Sequence, residues 1–152
     1  PELDAIVVPI GGGGLISGIA TAVKGARPEV RIVGVEPELS PAMHTALKAG
    51  EPVTVEPTSI ADGLNAPFAG ENTLAICREL VDEVVLVGED ELKDAFRFLY
   101  ARAKLAAEPA GAASTAALLA GKIPLEAGET AVAVVSGGNV ATQTAVAILG
   151  EA

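Results

Sequence analysis

Residues 7–18 read Val7-Val8-Pro9-Ile10-Gly11-Gly12-Gly13-Gly14-Leu15-Ile16-Ser17-Gly18, and they pass from an apolar strand through four consecutive glycines into an apolar helical pattern. Glycine tolerates positive φ angles and lets a ligand approach the backbone closely. The start of a helix presents unpaired N–H groups and the positive end of the helix dipole. The segment therefore predicts an anion site, and a phosphate group is the ligand that suits it best.

Length and composition limit what can surround this segment. The chain has 152 residues, of which 50% are hydrophobic, so we expect one domain with a substantial core. The net charge of −10 argues against nucleic-acid binding, which needs basic surfaces. No apolar run approaches the roughly 20 residues that cross a membrane. Cys77 is the only cysteine, which excludes an internal disulfide and favours a cytoplasmic location.

The first residues indicate a partial chain. The segment Pro1-Glu2-Leu3-Asp4 contains neither an initiator methionine nor a signal peptide, and the first predicted strand begins at about Asp4. We therefore expect residues 1–152 to be a single domain within a longer protein. A trimmed but complete small protein is the alternative.

Strands and helices are predicted to alternate along the chain. Apolar runs predict strands at residues 4–10, 30–36, 83–87 and 130–135. Helical spacing predicts helices at residues 15–26, 41–49, 72–81, 89–106, 112–120 and 140–149, with Ser40 as a helix cap and a short extended piece at residues 53–55. This order is typical of an α/β fold with three αβα layers and a mainly parallel sheet of about four strands. Ligands of such sheets bind at the carboxyl ends of the strands, where the glycines lie.

The glycine spacing does not match the common nucleotide motifs. No register gives G-x-G-x-x-G, because Leu15, Ile16 or Ser17 occupies a required glycine position. No Gly-Lys-Ser/Thr follows the glycines, which excludes a Walker loop. Glu36 ends the second strand, as an acidic residue does in dinucleotide sites, so a dinucleotide-binding module stays open. A purely structural turn is the remaining alternative.

A second glycine cluster follows the last predicted strand. The segment Ser136-Gly137-Gly138-Asn139 precedes the final helix, so its hydroxyl would lie at the same sheet edge as the four glycines. Two glycines there would let a flat ligand approach the backbone. Together with Ser59-Ile60-Ala61-Asp62-Gly63 and Glu108-Pro109-Ala110-Gly111, these segments form a specific set of motifs.

On these motifs the chain, over about residues 3–149, resembles the C-terminal, cofactor-binding portion of the fold-type II pyridoxal-phosphate (PLP) enzymes, in the branch of threonine/serine dehydratases and serine racemases. The resemblance implies that backbone N–H groups of the glycine segment hold the cofactor phosphate and that Ser136 hydrogen-bonds the pyridine nitrogen. It also places Gly63 and Glu108 near the ring and gives Asn139 a role in shaping its loop. The implied cofactor-binding residues are Gly11, Gly12, Gly13, Gly14, Leu15, Gly63, Glu108, Ser136, Gly137 and Asn139.

The resemblance also implies two features that this chain lacks or alters. Family members bind PLP covalently to a lysine in an N-terminal Ser-x-Lys-x-Arg-Gly-type segment, which is absent here, so no catalytic residue is expected in this chain. Relatives also hold a divalent cation; Glu36 matches the first of its ligand positions, and Ser40 would offer a backbone carbonyl. Oxygen ligands would favour Mg²⁺ or Ca²⁺, but Ala42 stands where serine racemase-like sequences carry an acidic ligand.

The implied activity is that of a PLP-dependent ammonia-lyase (dehydratase) that converts L-threonine or L-serine to a 2-oxo acid and ammonia. The fragment alone is expected to be inactive, and the parent protein is expected to be a homodimer or tetramer with a small amino acid as its substrate. A serine racemase or a hydroxyaspartate dehydratase of the same fold is an alternative. A non-catalytic phosphate- or dinucleotide-binding module is the contrasting class. Neither nucleic acid nor membrane is expected as a partner.

Overall fold

A parallel sheet of four strands organises residues 2–150, the part of the chain that the computed structural model describes. Residues 1, 151 and 152 of the predicted domain lie outside this range. The strand order is β3-β2-β1-β4, and every neighbouring pair is parallel. The strands are β1 (Ala5–Pro9), β2 (Arg31–Pro37), β3 (Glu83–Val87) and β4 (Ala131–Ala133). The helices are α1 (Gly14–Ala26), α2 (Ala42–Ala49), α3 (Glu71–Leu80), α4 (Glu89–Phe98), α5 (Pro109–Leu119) and α6 (Thr142–Gly150).

The alternating direction of strand side chains divides the core into two halves. In β1, Ile6 and Val8 face a core built with α1, α2 and α3, whereas Val7 faces a core built with α4, α5 and α6. Both faces of the central strand are thus covered, which explains why β1 is apolar along its whole length. The predicted α/β fold with three layers is confirmed.

The two helices that were predicted at residues 89–106 and 112–120 have different bounds in the structure. α4 ends at Phe98 and continues as a π-helical turn over Leu99–Ala103, which ends where Lys104 adopts a φ of 59°. α5 begins at Pro109 instead of Ala112, because proline suits the first helical position, where no N–H donor is needed. The segment that was predicted to separate two helices therefore opens the second one.

Two smaller predictions were also wrong. The Ser40 hydroxyl does not cap α2 but donates to the carbonyl of Leu64 at 2.9 Å. Residues 53–55, predicted as a short extended piece, join no sheet in the described structure, and the Val55 N–H donates to the Pro67 carbonyl at 2.8 Å. The last helix begins at Thr142, two residues later than predicted.

The loop after β4 is locked against the start of α5. The N–H of Glu108 donates to the carbonyl of Gly137 at 3.0 Å. A Cβ added at Gly111 would lie 2.5 Å from the Gly137 oxygen, and one added at Gly138 would lie 2.5 Å from the Ala106 oxygen. Glycine is therefore needed at these positions because backbone meets backbone. This contact carries the second glycine cluster to the sheet edge.

We expect Gly111→Ala to destabilise the fold by about 1–3 kcal/mol, because the new methyl group would push the 136–139 loop away from α5. The matched control is Gly18→Ala in α1, where an added Cβ meets nothing within 4 Å. That change should instead stabilise the chain by about 0.5–1 kcal/mol through helix propensity. Urea unfolding of the two variants gives the measurement, and equal stability of both would contradict the packing described here.

Candidate functional site

A cavity of about 250 Å³ lies at the carboxyl end of β1, and we call it the glycine cavity. It brings together residues from four separate segments of the chain. Its lining consists of Pro9, Gly11, Gly12, Gly13, Gly14, Leu15, Gly63, Leu64, Glu108, Ala110 and Ser136. All four motifs that were singled out in the sequence contribute to this lining or stand beside it, as expected for the carboxyl edge of a parallel sheet.

The glycine loop supplies a row of free hydrogen-bond donors. Within the described residues, the N–H groups of residues 11–16 donate to no protein acceptor. Gly13 precedes α1 with a φ of 93°, a conformation that favours glycine. A Cβ at Gly13 would also lie 2.6 Å from the Met43 methyl group. The loop thus combines free N–H groups with a helix start, and this donor set fits a phosphate group.

Two polar side chains face the rest of the cavity. Ser136 is exposed, and its hydroxyl has no protein partner in the portion of the chain described. The Glu108 carboxylate lies between Gly63 and Gly137: a Cβ at Gly63 would be 3.4 Å from its Oε1, and a Cβ at Gly137 would overlap it. Residue 137 must therefore be glycine, because the Glu108 carboxylate occupies the space that a Cβ would need. A hydroxyl and a carboxylate in one cavity suit the polar atoms of a heteroaromatic ring.

Asn139 lies outside the glycine cavity. It lines a neighbouring cavity of about 290 Å³ together with Ser59, Asp62, Pro109 and Thr144. Eight of the ten predicted cofactor-binding residues thus line the glycine cavity, Gly137 stands beside it, and Asn139 does not. A role for Asn139 in shaping its loop stays a prediction.

Several residues that build the site were not singled out from the sequence. Leu64 lines the cavity, and its adjacency to Gly63 was the only signal. Ala110 also lines it; it belongs to the Glu108–Gly111 motif but had no predicted role in the site. The Glu89 carboxylate accepts hydrogen bonds from the Ser59 hydroxyl at 2.6 Å and the Ile60 N–H at 2.8 Å. Glu89 stands in the first turn of α4, and these hydrogen bonds hold the loop that carries Gly63.

No lysine lines the glycine cavity in the described residues. Lys24 pairs with Asp82 at 2.9 Å, and Lys122 pairs with Glu91 at 2.9 Å. Lys104 donates to the carbonyl of Ala101 at 2.8 Å. The positive groups of this site are therefore backbone dipoles rather than side-chain cations.

Glu36, the first predicted cation ligand, is fully buried and caps α2. Its Oε1 accepts the Met43 N–H and its Oε2 accepts the His44 N–H, both at 2.7 Å. The Ser40 hydroxyl is also engaged, and residue 42 is alanine. Among residues 2–150, no group of three or more His, Cys, Asp or Glu side chains is arranged to hold a metal ion. These side chains do not form a complete cation site, and Mg²⁺ or Ca²⁺ stays a prediction.

Burial raises the pKa of Glu36 from 4.5 to about 7, although the two N–H donors act to lower it. Between pH 4.5 and this pKa the folded chain binds a proton on Glu36 that the unfolded chain would lose. Glu36 thus makes the start of α2 sensitive to pH, and α2 carries Met43 against Gly13.

The matches to known proteins agree with this geometry. Residues 1–137 match the family described as pyridoxal-phosphate dependent enzyme, so the chain belongs to this family. The chain is 48% identical over 145 residues to an L-threonine ammonia-lyase of Geobacter sulfurreducens, an alignment that covers 95% of this chain and 36% of that protein. It is 49% identical over 120 residues to a phenylserine dehydratase of Ralstonia pickettii, with 78% and 37% covered.

The fold matches solved structures of the same family. Maize serine racemase superposes with a TM-score of 0.88 at 38% identity, over 99% of this chain and 47% of that one. The fold-type II architecture expected from the sequence is thereby confirmed. The chain spans between 36% and 47% of the length of these three relatives. No helix among residues 2–150 is both long and apolar enough to cross a membrane.

Glu36→Gln is expected to remove part of the pH dependence of stability. The folded-state pKa of about 7 lies above the ordinary value of 4.5, so the folded chain binds more protons between these pH values. The stability of the wild-type chain should therefore fall as pH rises from 4.5 to 7, by on the order of 3 kcal/mol from this group.

Urea unfolding between pH 4.5 and 7.5 measures this effect as the difference in slope between variant and wild type. Glu38→Gln is the matched control, because this neighbouring carboxylate is exposed. The control should keep the wild-type slope. A Glu36→Gln slope equal to that of the wild type would show that folding does not raise the pKa of Glu36.

Proposed function

We propose that this chain is the part of a PLP-dependent L-threonine/L-serine ammonia-lyase that binds the phosphate and the pyridine ring of the cofactor. The observation that carries the proposal is the row of N–H groups at residues 11–15, which have no protein acceptor and belong to residues that line the same cavity as Ser136. One end of the cavity suits a dianionic phosphate, and the polar side chains suit the ring. Residues 1–152 would form one domain of that longer enzyme.

In this proposal the backbone groups and the side chains of the cavity have separate roles. The N–H groups of residues 11–15 bind the phosphate and fix the cofactor's position. The Ser136 hydroxyl hydrogen-bonds the pyridine nitrogen without placing a negative charge beside it, so the nitrogen is not held in its protonated form. Glu108 and Gly63 flank the ring, where glycine allows close approach. When bound, PLP supplies the electron sink for loss of the α-proton and the β-hydroxyl group of the substrate.

The substrate class follows from the named relatives. The threonine ammonia-lyase, the phenylserine dehydratase and the serine racemase are all named for amino acids with a hydroxyl group on the β-carbon. We infer that the parent protein acts on such an amino acid, with L-threonine or L-serine first, and releases a 2-oxo acid and ammonia. The similarity to maize serine racemase supports racemisation of serine as a second candidate. Dehydration of a hydroxyaspartate would use the same site.

The proposal assigns proton removal and covalent binding of the cofactor to a lysine outside this chain. It also includes a homodimeric or tetrameric parent protein that is located in the cytoplasm. The buried, unpaired Cys77 supports the cytoplasmic location. A non-catalytic phosphate- or dinucleotide-binding module remains the contrasting function. Equilibrium dialysis with PLP and with NAD separates the two, because an NAD-selective chain would contradict the enzyme proposal.

A Mg²⁺ or Ca²⁺ ion beside Glu36 and Ser40 is a separate hypothesis. Backbone carbonyls would have to complete its coordination, because the Glu36 oxygens already accept two N–H groups. Titration with Mn²⁺, followed by electron paramagnetic resonance, tests it. Binding that Glu36→Gln abolishes would support the ion, and free Mn²⁺ throughout the titration would remove it.

Gly14→Asp should weaken PLP binding at least about tenfold, or about 1.4 kcal/mol, because the carboxylate would stand beside the phosphate. The position tolerates a side chain, since an added Cβ meets nothing within 4 Å. An acid in the first turn of a helix also favours folding. Gly18→Asp makes the same charge change one turn later, at an exposed position outside the cavity, and should bind PLP as the wild type does. Equal PLP affinity of the two variants would refute the proposed site.

The 152-residue chain with added PLP should release no ammonia from L-threonine or L-serine. The reason is that no lysine stands in the glycine cavity to remove the α-proton. A coupled ammonia assay is the measurement, and the longer parent protein is the positive control. Turnover by the chain alone would place the catalytic base among residues 1–152 and overturn this part of the proposal.

A further inference from the structure

Thr73 touches the glycine loop from outside the cavity. It lies in the first turn of α3, 61 residues away from Gly12 along the chain, and is half-buried. Its hydroxyl lies 2.8 Å from the carbonyl oxygen of Gly12 and 3.0 Å from that of Gly70. Thr73 does not line the cavity, so it would not contact a ligand there.

The Thr73 hydroxyl donates its hydrogen bond to the Gly12 carbonyl rather than to the Gly70 carbonyl. A threonine hydroxyl has one proton to donate. The Gly70 carbonyl already accepts the Leu74 N–H at 2.8 Å. The Gly12 carbonyl is the nearer acceptor, and within residues 2–150 no other protein group donates to it. Donation to Gly12 therefore satisfies both carbonyls.

This hydrogen bond fixes the direction of a peptide N–H. The C=O and the N–H of a trans peptide unit point in opposite directions, and the described residues contain no cis peptide bond. When the Gly12 carbonyl points towards α3, the Gly13 N–H points away from α3. Gly13 lines the cavity, and its N–H has no protein acceptor among the described residues.

The Gly12–Gly13 peptide needs such an anchor. Both flanking residues are glycines, so rotation of the whole unit meets little steric resistance. A flipped unit would turn the carbonyl oxygen towards the cavity and would repel an anion there. Gly13 has a φ of 93°, and a Cβ there would collide with Met43 and Thr73, so no side chain at residue 13 can take over the role of the anchor.

We propose that Thr73 is a positioning residue for the anion site, because its hydroxyl holds the Gly12–Gly13 peptide with the Gly13 N–H turned into the glycine cavity. The identity of the anion as the cofactor phosphate rests on the function proposed above. Thr73 acts through the backbone and contributes no group to the reaction. The residue thereby couples α3 to the phosphate-binding loop.

Thr73→Val tests the hydroxyl, because valine keeps the shape of threonine and removes the donor. Thr73→Ser is the matched control, because it keeps the donor. We expect Thr73→Val to bind PLP about tenfold more weakly than the wild type, and Thr73→Ser to bind it within about twofold. Affinity for pyridoxal, which lacks the phosphate, should be the same in all three chains. A general loss of structure would lower both affinities, so this comparison isolates the phosphate contact.

The Gly13 amide gives a direct second measurement. In ¹⁵N-labelled wild-type chain, inorganic phosphate should shift the Gly13 amide resonance, and the shift should be lost in Thr73→Val. The wild-type measurement stands even where Thr73→Val fails to fold: an unshifted Gly13 amide in a phosphate-bound wild-type chain overturns the proposal. Equal PLP affinity of Thr73→Val and wild type also overturns it, as does a Thr73→Ser chain that binds as weakly as Thr73→Val.

These outcomes separate the two proposals. A wild-type chain that binds PLP but is indifferent to Thr73→Val refutes the role of Thr73 and leaves the phosphate site in place. A wild-type chain that binds neither PLP nor phosphate refutes the phosphate site, and the role of Thr73 with it.

Discussion

The unpaired N–H groups at the turn from β1 into α1 are the constraint on which the site depends. A backbone can present several donors to one point only if no side chain stands in the way and no protein acceptor takes the protons. Residues 11–14 are glycines that line the cavity, and among the described residues their N–H groups have no protein acceptor. The turn also requires a positive φ at Gly13, where Met43 and Thr73 leave no room for a Cβ. Helices α2 and α3 thus pack against the side of the loop where Gly13 has no room for a Cβ.

The same loop is held by two contacts of different kinds. The Thr73 hydroxyl reaches the Gly12 carbonyl across 61 residues of sequence. The buried Glu36 carboxylate accepts both N–H groups at the start of α2, and this helix places the Met43 side chain against Gly13. An isolated carboxylate in the core would be costly, so its two hydrogen bonds explain how it is tolerated. Glu36 at the end of β2 therefore links the sheet to the glycine loop through packing.

The ring end of the cavity depends on backbone-to-backbone contact. Helix α5 is buried on nearly all sides and consists of small residues, which lets its first turn approach the loop after β4. Gly111 meets the Gly137 carbonyl, and the Glu108 carboxylate occupies the space beside Gly137. Ser136 and Glu108 enter one cavity because this contact joins two segments that are 28 residues apart in sequence.

The layers of the fold, and the meeting of the two glycine segments at one sheet edge, can be predicted from the amino-acid pattern. Apolar runs followed by glycines mark strands that end at one edge of a parallel sheet, so the glycine loop and Ser136 could be placed together before the structure was known. Only the tertiary structure decided that Glu36 caps a helix, that Asn139 lies in a neighbouring cavity, and that Thr73 holds the Gly12 carbonyl. These contacts join residues that are distant in the chain or depend on side-chain direction, and neither periodicity nor motif spacing contains that information.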